Sequence, residues 1–373
     1  MLKRYPLAPK LFPNLPKIKG IRLASIHSGI RYKNKLDLSL ISMTKETNVA
    51  CVVTRSRTPS APVIWCKKIK NNGKARALIV NSGNANAHTG DQGIETVKNT
   101  VNSIANHIGC KKNEVYVCST GVIGEFLNSN IITAAIPKLI KQKESSWKEV
   151  AESICTTDTF VKGAKSICKV EEKKFSVVGI AKGSGMIFPN MGTMLGFVFT
   201  DLPLPVKILN ILLKEAVEKS FNSITVDGDT STSDTCLLFS TPSISLTKSI
   251  KLIGDKRLSS FRIALDKVLQ SLAQQIVCDG EGASKFITIN INSVKSQKVA
   301  RNIGLAIANS SLVKTAIAGE DPNWGRIIMA IGKSGSPLIQ NKISISINKV
   351  KITNQGVLLS AYKEEVLAKK MKD

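Results

Sequence analysis

The stretch KGSGMIFPNMGTMLGFVFTD, Lys182 to Asp201, joins a glycine-rich, sharply bent segment to an apolar run. Gly183, Gly185 and the pair Pro189-Asn190 interrupt regular structure, and the run Met194 to Phe199 has the length and unbroken apolar character of a buried strand. The junction between the two is Gly192-Thr193. A threonine at the first position of a central strand is held at a rigid sheet end, where its hydroxyl can be aimed. The same pattern also fits a tight turn entering a core strand, and spacing alone favours that turn over a catalytic threonine.

Working outward, Lys173 to Ile180 supplies a strand ahead of the bend. Further upstream Ala75 to Val80 reads as a strand that ends in the loop NSGNANAHTG, residues 81–90. Asp91 can cap a helix whose apolar positions Ile94, Val97, Val101, Ile104, Ala105 and Ile108 keep helical spacing, and Gly109 stops it. Val115 to Cys118 is a strand ending in Ser119-Thr120-Gly121, and helices follow over Ile131 to Ile140 and Trp147 to Ile154. Residues 1–20 carry Pro6, Pro9, Pro13 and Pro16 and are expected to wrap the surface without regular structure. The runs between Ile21 and Trp65, such as Val49 to Val53 and Val63 to Cys66, suit strands joined by loops.

Downstream of Asp201, Val206, Leu209, Leu212, Leu213, Ala216 and Val217 give an amphipathic helix. Ile224 to Val226 and the run Cys236 to Phe239 are expected as strands on either side of DGDTSTSDT, residues 227–235. Leu258, Phe261, Leu265, Val268, Leu269, Leu272 and Ile276 mark another helix, followed by Asp279-Gly280-Glu281-Gly282-Ala283 and a strand over Phe286 to Ile291. Val299 to Ala308 is helical, Asp321 to Arg326 opens a helix with Pro322 in its first turn, and Ile343 to Ile347 alternates as a strand. Helices and strands mix throughout, so the class is α/β or α+β, with helices layered on sheet.

The 373 residues, 43% hydrophobic, suffice for one large core or two ordinary ones. Lys and Arg number 53 against 27 Asp and Glu, a formal charge of +26. The basic residues are scattered, in nothing longer than pairs such as Lys67-Lys68 and Lys369-Lys370. Aromatics make up only 5% and do not interleave with them, so neither nucleic acid nor a membrane surface is the expected partner. A polyanion-binding role would show as affinity that falls steeply with salt. The eight cysteines stand far apart, with no CxxC pair and no His at metal-ligand spacing. They read as buried free thiols of a reducing compartment, with no metal. No stretch approaches the roughly 20 apolar residues of a membrane span, and MLKRYPLAPK lacks the apolar core of a secretory signal. A cytoplasmic location is expected.

Several polar loops lie at strand ends, and each alone could be a turn. Together, STGVIGE (119–125), TTDT (156–159), AKGSGMIFPNMGTML (181–195), ITVDGDTSTSDT (224–235), CDGEGASK (278–285) and EDPNWGR (320–326) resemble, in order, the signature segments of the ArgJ family. The resemblance runs from about Pro16 to the end. These are ornithine acetyltransferases of arginine biosynthesis, some of which are bifunctional and also act as N-acetylglutamate synthases. The resemblance implies an N-terminal-nucleophile-like fold and a precursor that cuts its own backbone between Gly192 and Thr193. Residues 1–192 would form an alpha chain and 193–373 a beta chain, two of each assembling into a heterotetramer.

It further implies Thr193 as nucleophile and Thr120 (side chain) with Gly121 (backbone N–H) as the oxyanion hole. Thr156, Lys182, Thr193 and Glu281 would contact substrate. N-acetylornithine would give up its acetyl group, leaving ornithine, and glutamate would collect it as N-acetylglutamate; no cofactor is implied, and use of acetyl-CoA as a further co-substrate stays open. Physically, Lys182 suits a carboxylate and Glu281 an α-ammonium. Asp227 and Asp229 are read as shaping their loop. The sequence departs from the family in having Gly192 where Ala usually precedes the threonine. Family chains also continue past the helix represented by Tyr362 to Lys372 with strands bearing an Asn and a Thr that help close the pocket, and this sequence ends at Asp373. A weakly active or non-catalytic member and a threonine amidohydrolase are the alternatives, the latter using water where the transferase uses glutamate.

Overall fold

A computed structural model describes residues 6–188 and 194–372. Contacts divide the chain into two compact units, Met1–Glu281 and Gly282–Asp373. This is a division of packing, distinct in kind from a chain break at 192/193.

The first unit contains, in order, β1 (Ile21–Ile26), β2 (Leu38–Met43), β3 (Asn48–Val53), α1 (Ala61–Ile69), β4 (Ala77–Asn84), α2 (Gly90–Ile108), β5 (Val115–Val122), α3 (Ser129–Lys141), α4 (Trp147–Ser153), β6 (Lys162–Val170), β7 (Lys173–Lys182), β8 (Leu195–Thr200), α5 (Val206–Glu218), β9 (Thr235–Ser240) and α6 (Leu258–Cys278). Two sheets form, one ordered β1-β2-β4-β5 and the other β3-β9-β8-β7-β6.

Three apolar clusters arrange these as four layers. Val97, Val101 and Ile104 of α2 and Ile132 and Ile136 of α3 pack with Leu40, Ile79 and Val117 on the outer face of the first sheet. Leu78, Val80 and Tyr116 of that sheet meet Val178, Phe197, Phe199 and Phe239 of the second, with Phe199 and Phe239 stacked at 5.0 Å between ring centroids. On the far side Val177 and Val198 face Leu209 and Leu213 of α5 and Leu265, Val268 and Leu272 of α6. Both faces of β8 are therefore covered, which is why its sequence is an unbroken apolar run. This mixed α/β layering is the expected class.

Local expectations differ in places. β4 extends through Asn81 to Asn84, and β5 through Ser119-Thr120-Gly121, because these polar strand ends satisfy one another: Ser119 Oγ donates to Asn81 Oδ1 at 2.6 Å. Val63 to Cys66 is helical, with Pro62 in the first turn of α1 rather than ending a strand. Ile224 to Val226 is not a strand; the loop 227–235 follows a short helical turn, and Asp227 holds it by accepting from the N–H groups of Ile187 (2.9 Å) and Asp229 (3.0 Å).

The second unit packs α7 (Gln297–Ala308), α8 (Ser311–Ala318) and α9 (Gly325–Gly332) with a three-stranded sheet, β10 (Ile345–Ile347), β11 (Val350–Asn354) and β12 (Val357–Leu358), and with α10 (Glu364–Met371). Ile303, Ile307, Ile331, Ile352 and Leu367 form its core. The strand expected over Phe286 to Ile291 joins no ladder; Ile289 and Ile291 reach that core as side chains only. Pro322 lies in the turn before α9, whose N-cap is Trp324.

Gly121 ties the ends of β4 and β5. Its φ is +133°, and a Cβ there would stand 2.2 Å from the carbonyl carbon of Gly83. Gly121→Ala is expected to push these strand ends apart and lower the stability of the first unit by roughly 1–3 kcal/mol, measurable by urea denaturation against a control alanine at Gly254, which has open space and no left-handed φ.

Candidate active site

Strand register brings the polar segments to one end of both sheets. In the second sheet Lys182, the last residue of β7, pairs with Leu195 at the start of β8. Leu195 pairs with Thr235 at the start of β9, and Thr235 with Val53 at the end of β3. In the first sheet Gly121 pairs with Gly83 at the ends of β5 and β4. Backbone bonds stitch the two ends: Ala85 N–H donates to Val122 O, Ala61 N–H to Asn86 O, Ser60 N–H to Thr232 O and Thr54 N–H to Asp234 O. Thr120 and Gly121 thus belong to the same sheet end as Lys182.

Lys182 and Thr156 are bonded to each other, and Glu281 is tied to the same strand end through its backbone. Lys182, almost fully buried, donates from Nζ to Thr156 Oγ1 at 2.8 Å and stands 3.8 Å from Asp158 Oδ2. The Thr156 N–H donates to that same Asp158 oxygen at 3.0 Å. Thr157 and Ser184 pair through their hydroxyls at 2.7 Å, and the Glu281 N–H donates to Ser184 O at 3.1 Å. The Glu281 carboxylate lies over Gly185, where a Cβ would be 2.6 Å from Oε1. Glycine at 185 therefore lets this exposed carboxylate fold down beside the Lys182 strand end.

Beneath this group lies an ion triad that sequence reading missed. Lys162, at the start of β6, is wholly buried and donates to Asp158 Oδ1 (2.7 Å), Asp279 Oδ2 (2.5 Å) and Phe160 O (3.2 Å). The Gly183 N–H also donates to Asp158 Oδ1, at 2.7 Å. Asp279 in turn accepts from the Thr159 N–H at 3.0 Å and from its hydroxyl. Burial works to raise the Asp158 carboxyl, but Lys162, Lys182 and the Gly183 N–H outweigh it and hold it well below the usual carboxylate range. Burial likewise opposes the Lys162 charge, and Asp158 foremost reverses that, raising the ammonium above its ordinary value. The only local trace in the sequence is the Asp158/Lys162 spacing; the other partner is 117 residues away.

A cavity of about 1330 Å³ opens on Thr156 and Asp158, walled by Phe12, Tyr32, Lys35 and Trp147. Cys155 lines it too, but burial, with Asp158 adding, pushes its thiol up to about 12, so it is no thiolate nucleophile. All eight cysteines are free. Gly192 and Thr193 lie outside the described residues, which resume at Met194.

The model of the ArgJ family matches residues 22–373. The arginine biosynthesis bifunctional protein ArgJ of Bradyrhizobium diazoefficiens is 47% identical over 370 residues, covering 98% of this chain and 90% of its own. The protein of the same name from Mesorhizobium japonicum is 45% identical over 370 residues, with the same coverage. Among solved structures, arginine biosynthesis bifunctional protein argJ from Bacillus halodurans matches at 35% identity and TM-score 0.41, over 46% of this chain and 90% of that one.

Removing one member of the ion triad leaves the others buried and uncompensated. Lys162→Met is expected to cost about 3–5 kcal/mol. Because the folded Asp158 titrates below its unfolded value, its contribution is present above about pH 4 and lost as pH falls through the depressed folded value. Acid unfolding of the wild type should therefore include a transition below the usual carboxylate range, and Lys162→Met should unfold at higher pH in the same circular-dichroism titration.

Proposed function

The chain belongs to the ArgJ family of arginine-biosynthesis enzymes, and on that footing we propose that it transfers the acetyl group of N-acetylornithine to glutamate through an acetyl ester of Thr193. The observation that carries this reading is the convergence, at one sheet end, of Thr120-Gly121, the Thr156–Lys182–Glu281 group and the start of β8. The residue types supply what acyl transfer needs.

A threonine hydroxyl is a weak nucleophile until a base takes its proton, and an α-amine on the same residue is the nearest base. Cleavage between Gly192 and Thr193 creates that amine. The Thr193 hydroxyl attacks the Gly192 carbonyl, the acyl group moves from nitrogen to oxygen, and water opens the ester. The free amine, with a reference pKa of about 7.7–8.0, then activates the hydroxyl against the acetyl carbonyl. Donors from Thr120 and the Gly121 N–H stabilise the oxyanion, at roughly 3–4 kcal/mol per donor by analogy with other acyl-transfer sites. The Lys182 ammonium favours the free-base form of the nearby amine and receives a substrate carboxylate. Glu281 receives the α-ammonium. Ornithine leaves, glutamate takes the acetyl group, and the amine returns the proton.

Acetyl-CoA as an additional donor is part of the same proposal, since it would load the same ester. Two alpha and two beta chains would form the working assembly, in the cytoplasm.

Intact mass under denaturing conditions should give two chains, residues 1–192 and 193–373. Thr193→Ala should give one chain of 373 residues and lose ornithine release from N-acetylornithine by about 1000-fold or more. Wild-type kinetics should be ping-pong. Release of free acetate at the same rate without glutamate would replace transfer with hydrolysis, and a single uncut active chain would overturn the nucleophile.

A further inference from the structure

Gly185, over which the Glu281 carboxylate lies, is fixed through the peptide groups on either side of it. Ahead of it, the Ser184 carbonyl accepts the Glu281 N–H at 3.1 Å. Behind it, the Met186 N–H donates to Asp227 Oδ2 at 2.5 Å and the Ile187 N–H to Oδ1 at 2.9 Å. A peptide group is planar, so the Asp227 bond to Met186 also sets how the Gly185 Cα faces the Glu281 carboxylate. Met186 has φ +59°, a left-handed conformation that a long side chain resists. It is 38% exposed, so core packing does not impose that conformation. The carboxylate does, by filling the concavity that two consecutive N–H groups make when they turn to one side.

The Asp227 loop is itself anchored. Asp227 Oδ1 also accepts the Asp229 N–H at 3.0 Å, and the Val226 N–H donates to Ile187 O at 2.8 Å. Val226 closes on Gly280 as well, where a Cβ would stand 3.0 Å from Val226 Cγ1. Residues 226 and 227 therefore meet the surroundings of Glu281 twice, at the 185–186 peptide beside its carboxylate and at Gly280, its neighbour in the chain. The charge of Asp227 matters to this, because an ionised acceptor holds an N–H more strongly than a neutral oxygen does.

We propose that Asp227 is a positioning residue for the acceptor amino acid: by holding the 185–187 turn it keeps the Glu281 carboxylate where the α-ammonium of glutamate arrives. The inference rests on the proposed reading of Glu281 as the contact for that ammonium. Donor and acceptor differ at this point. The α-nitrogen of N-acetylornithine is an uncharged amide, and its ammonium sits at the far end of the side chain, whereas glutamate brings a free α-ammonium. A displaced Glu281 therefore weakens the capture of glutamate and spares the donor.

Steady-state transfer with both substrates varied tests this on the wild type, Asp227→Asn, Glu281→Gln and the double variant, with melting temperature measured alongside. Asparagine keeps the size, but with its oxygen toward Ile187 and Asp229 it turns an NH2 group on the Met186 N–H. In Asp227→Asn, kcat/KM for glutamate should fall about tenfold or more while kcat/KM for N-acetylornithine stays within about threefold of the wild type. Added to Glu281→Gln, the same change should cost less than about a further threefold, because residues that act through one carboxylate are not additive. A folded Asp227→Asn with unchanged glutamate kinetics overturns the proposal, as does an equal fall for both substrates or two effects that multiply in the double variant. If Asp227→Asn does not fold, Met186→Val decides. A β-branched residue opposes the left-handed turn, so this variant should show the same selective loss with Asp227 intact, and no loss overturns the proposal. Glutamate kinetics unmoved by Glu281→Gln overturn the reading of Glu281 and this inference with it, whereas an effective Glu281→Gln beside an ineffective Asp227→Asn overturns the inference alone. A wild type that releases no ornithine overturns the transfer reading itself.

Discussion

The Lys162 ammonium is wholly buried, and the way the chain supplies it with partners fixes the geometry above it. Its two carboxylates come from the loop after α4 and from the end of α6. Asp158 also holds the Gly183 N–H and faces Lys182. The triad therefore clamps three sequence-distant segments to one point, and each of them carries a candidate substrate contact within three residues: Thr156, Lys182 and Glu281. A buried ion pair adds little net stability over an apolar replacement. Its worth here is positional, because neither loop can shift without stripping a charge of its partner.

The second constraint is the double cover of the second sheet. With the first sheet on one face and α5 and α6 on the other, β7, β8 and β9 have no solvent face, and polar function is confined to their ends. Parallel pairing of β8 with β9 and of β4 with β5 leaves the ends that carry Met194, Asp234 and Gly121 joined through the bonds of residues 54, 60, 61 and 85. A site assembled on strand ends inherits the rigidity of the core below it.

This explains which parts were legible in the sequence. Helices with a clean apolar stripe, such as α2, α5 and α6, stood out, as did β8, whose two covered faces produce an unbroken run. The polar ends of β4 and β5 read as loop because propensity cannot see that Asn81 and Ser119 satisfy each other across the ladder. Val63 to Cys66 read as a strand because a short apolar run has no period, and only Pro62 in a first turn marks it as helix. In the site, resemblance named Thr120, Gly121, Thr156, Lys182 and Glu281, residues that spacing alone left as turns or surface charges. Lys162 stayed hidden because a lysine four residues from an aspartate usually marks an exposed pair, and the second partner lies far along the chain.

In the proposed scheme one site carries out two acyl transfers, and the second depends on a group that the first creates. Before cleavage the acyl donor is the chain itself, with Gly192 where the acetyl group later sits, and the oxyanion donors Thr120 and Gly121 serve both reactions. The α-amine is tied up in the peptide bond until the end of the first step, so acetyl transfer can begin only in a chain that has already been cut, and the precursor stays inert toward substrate until then.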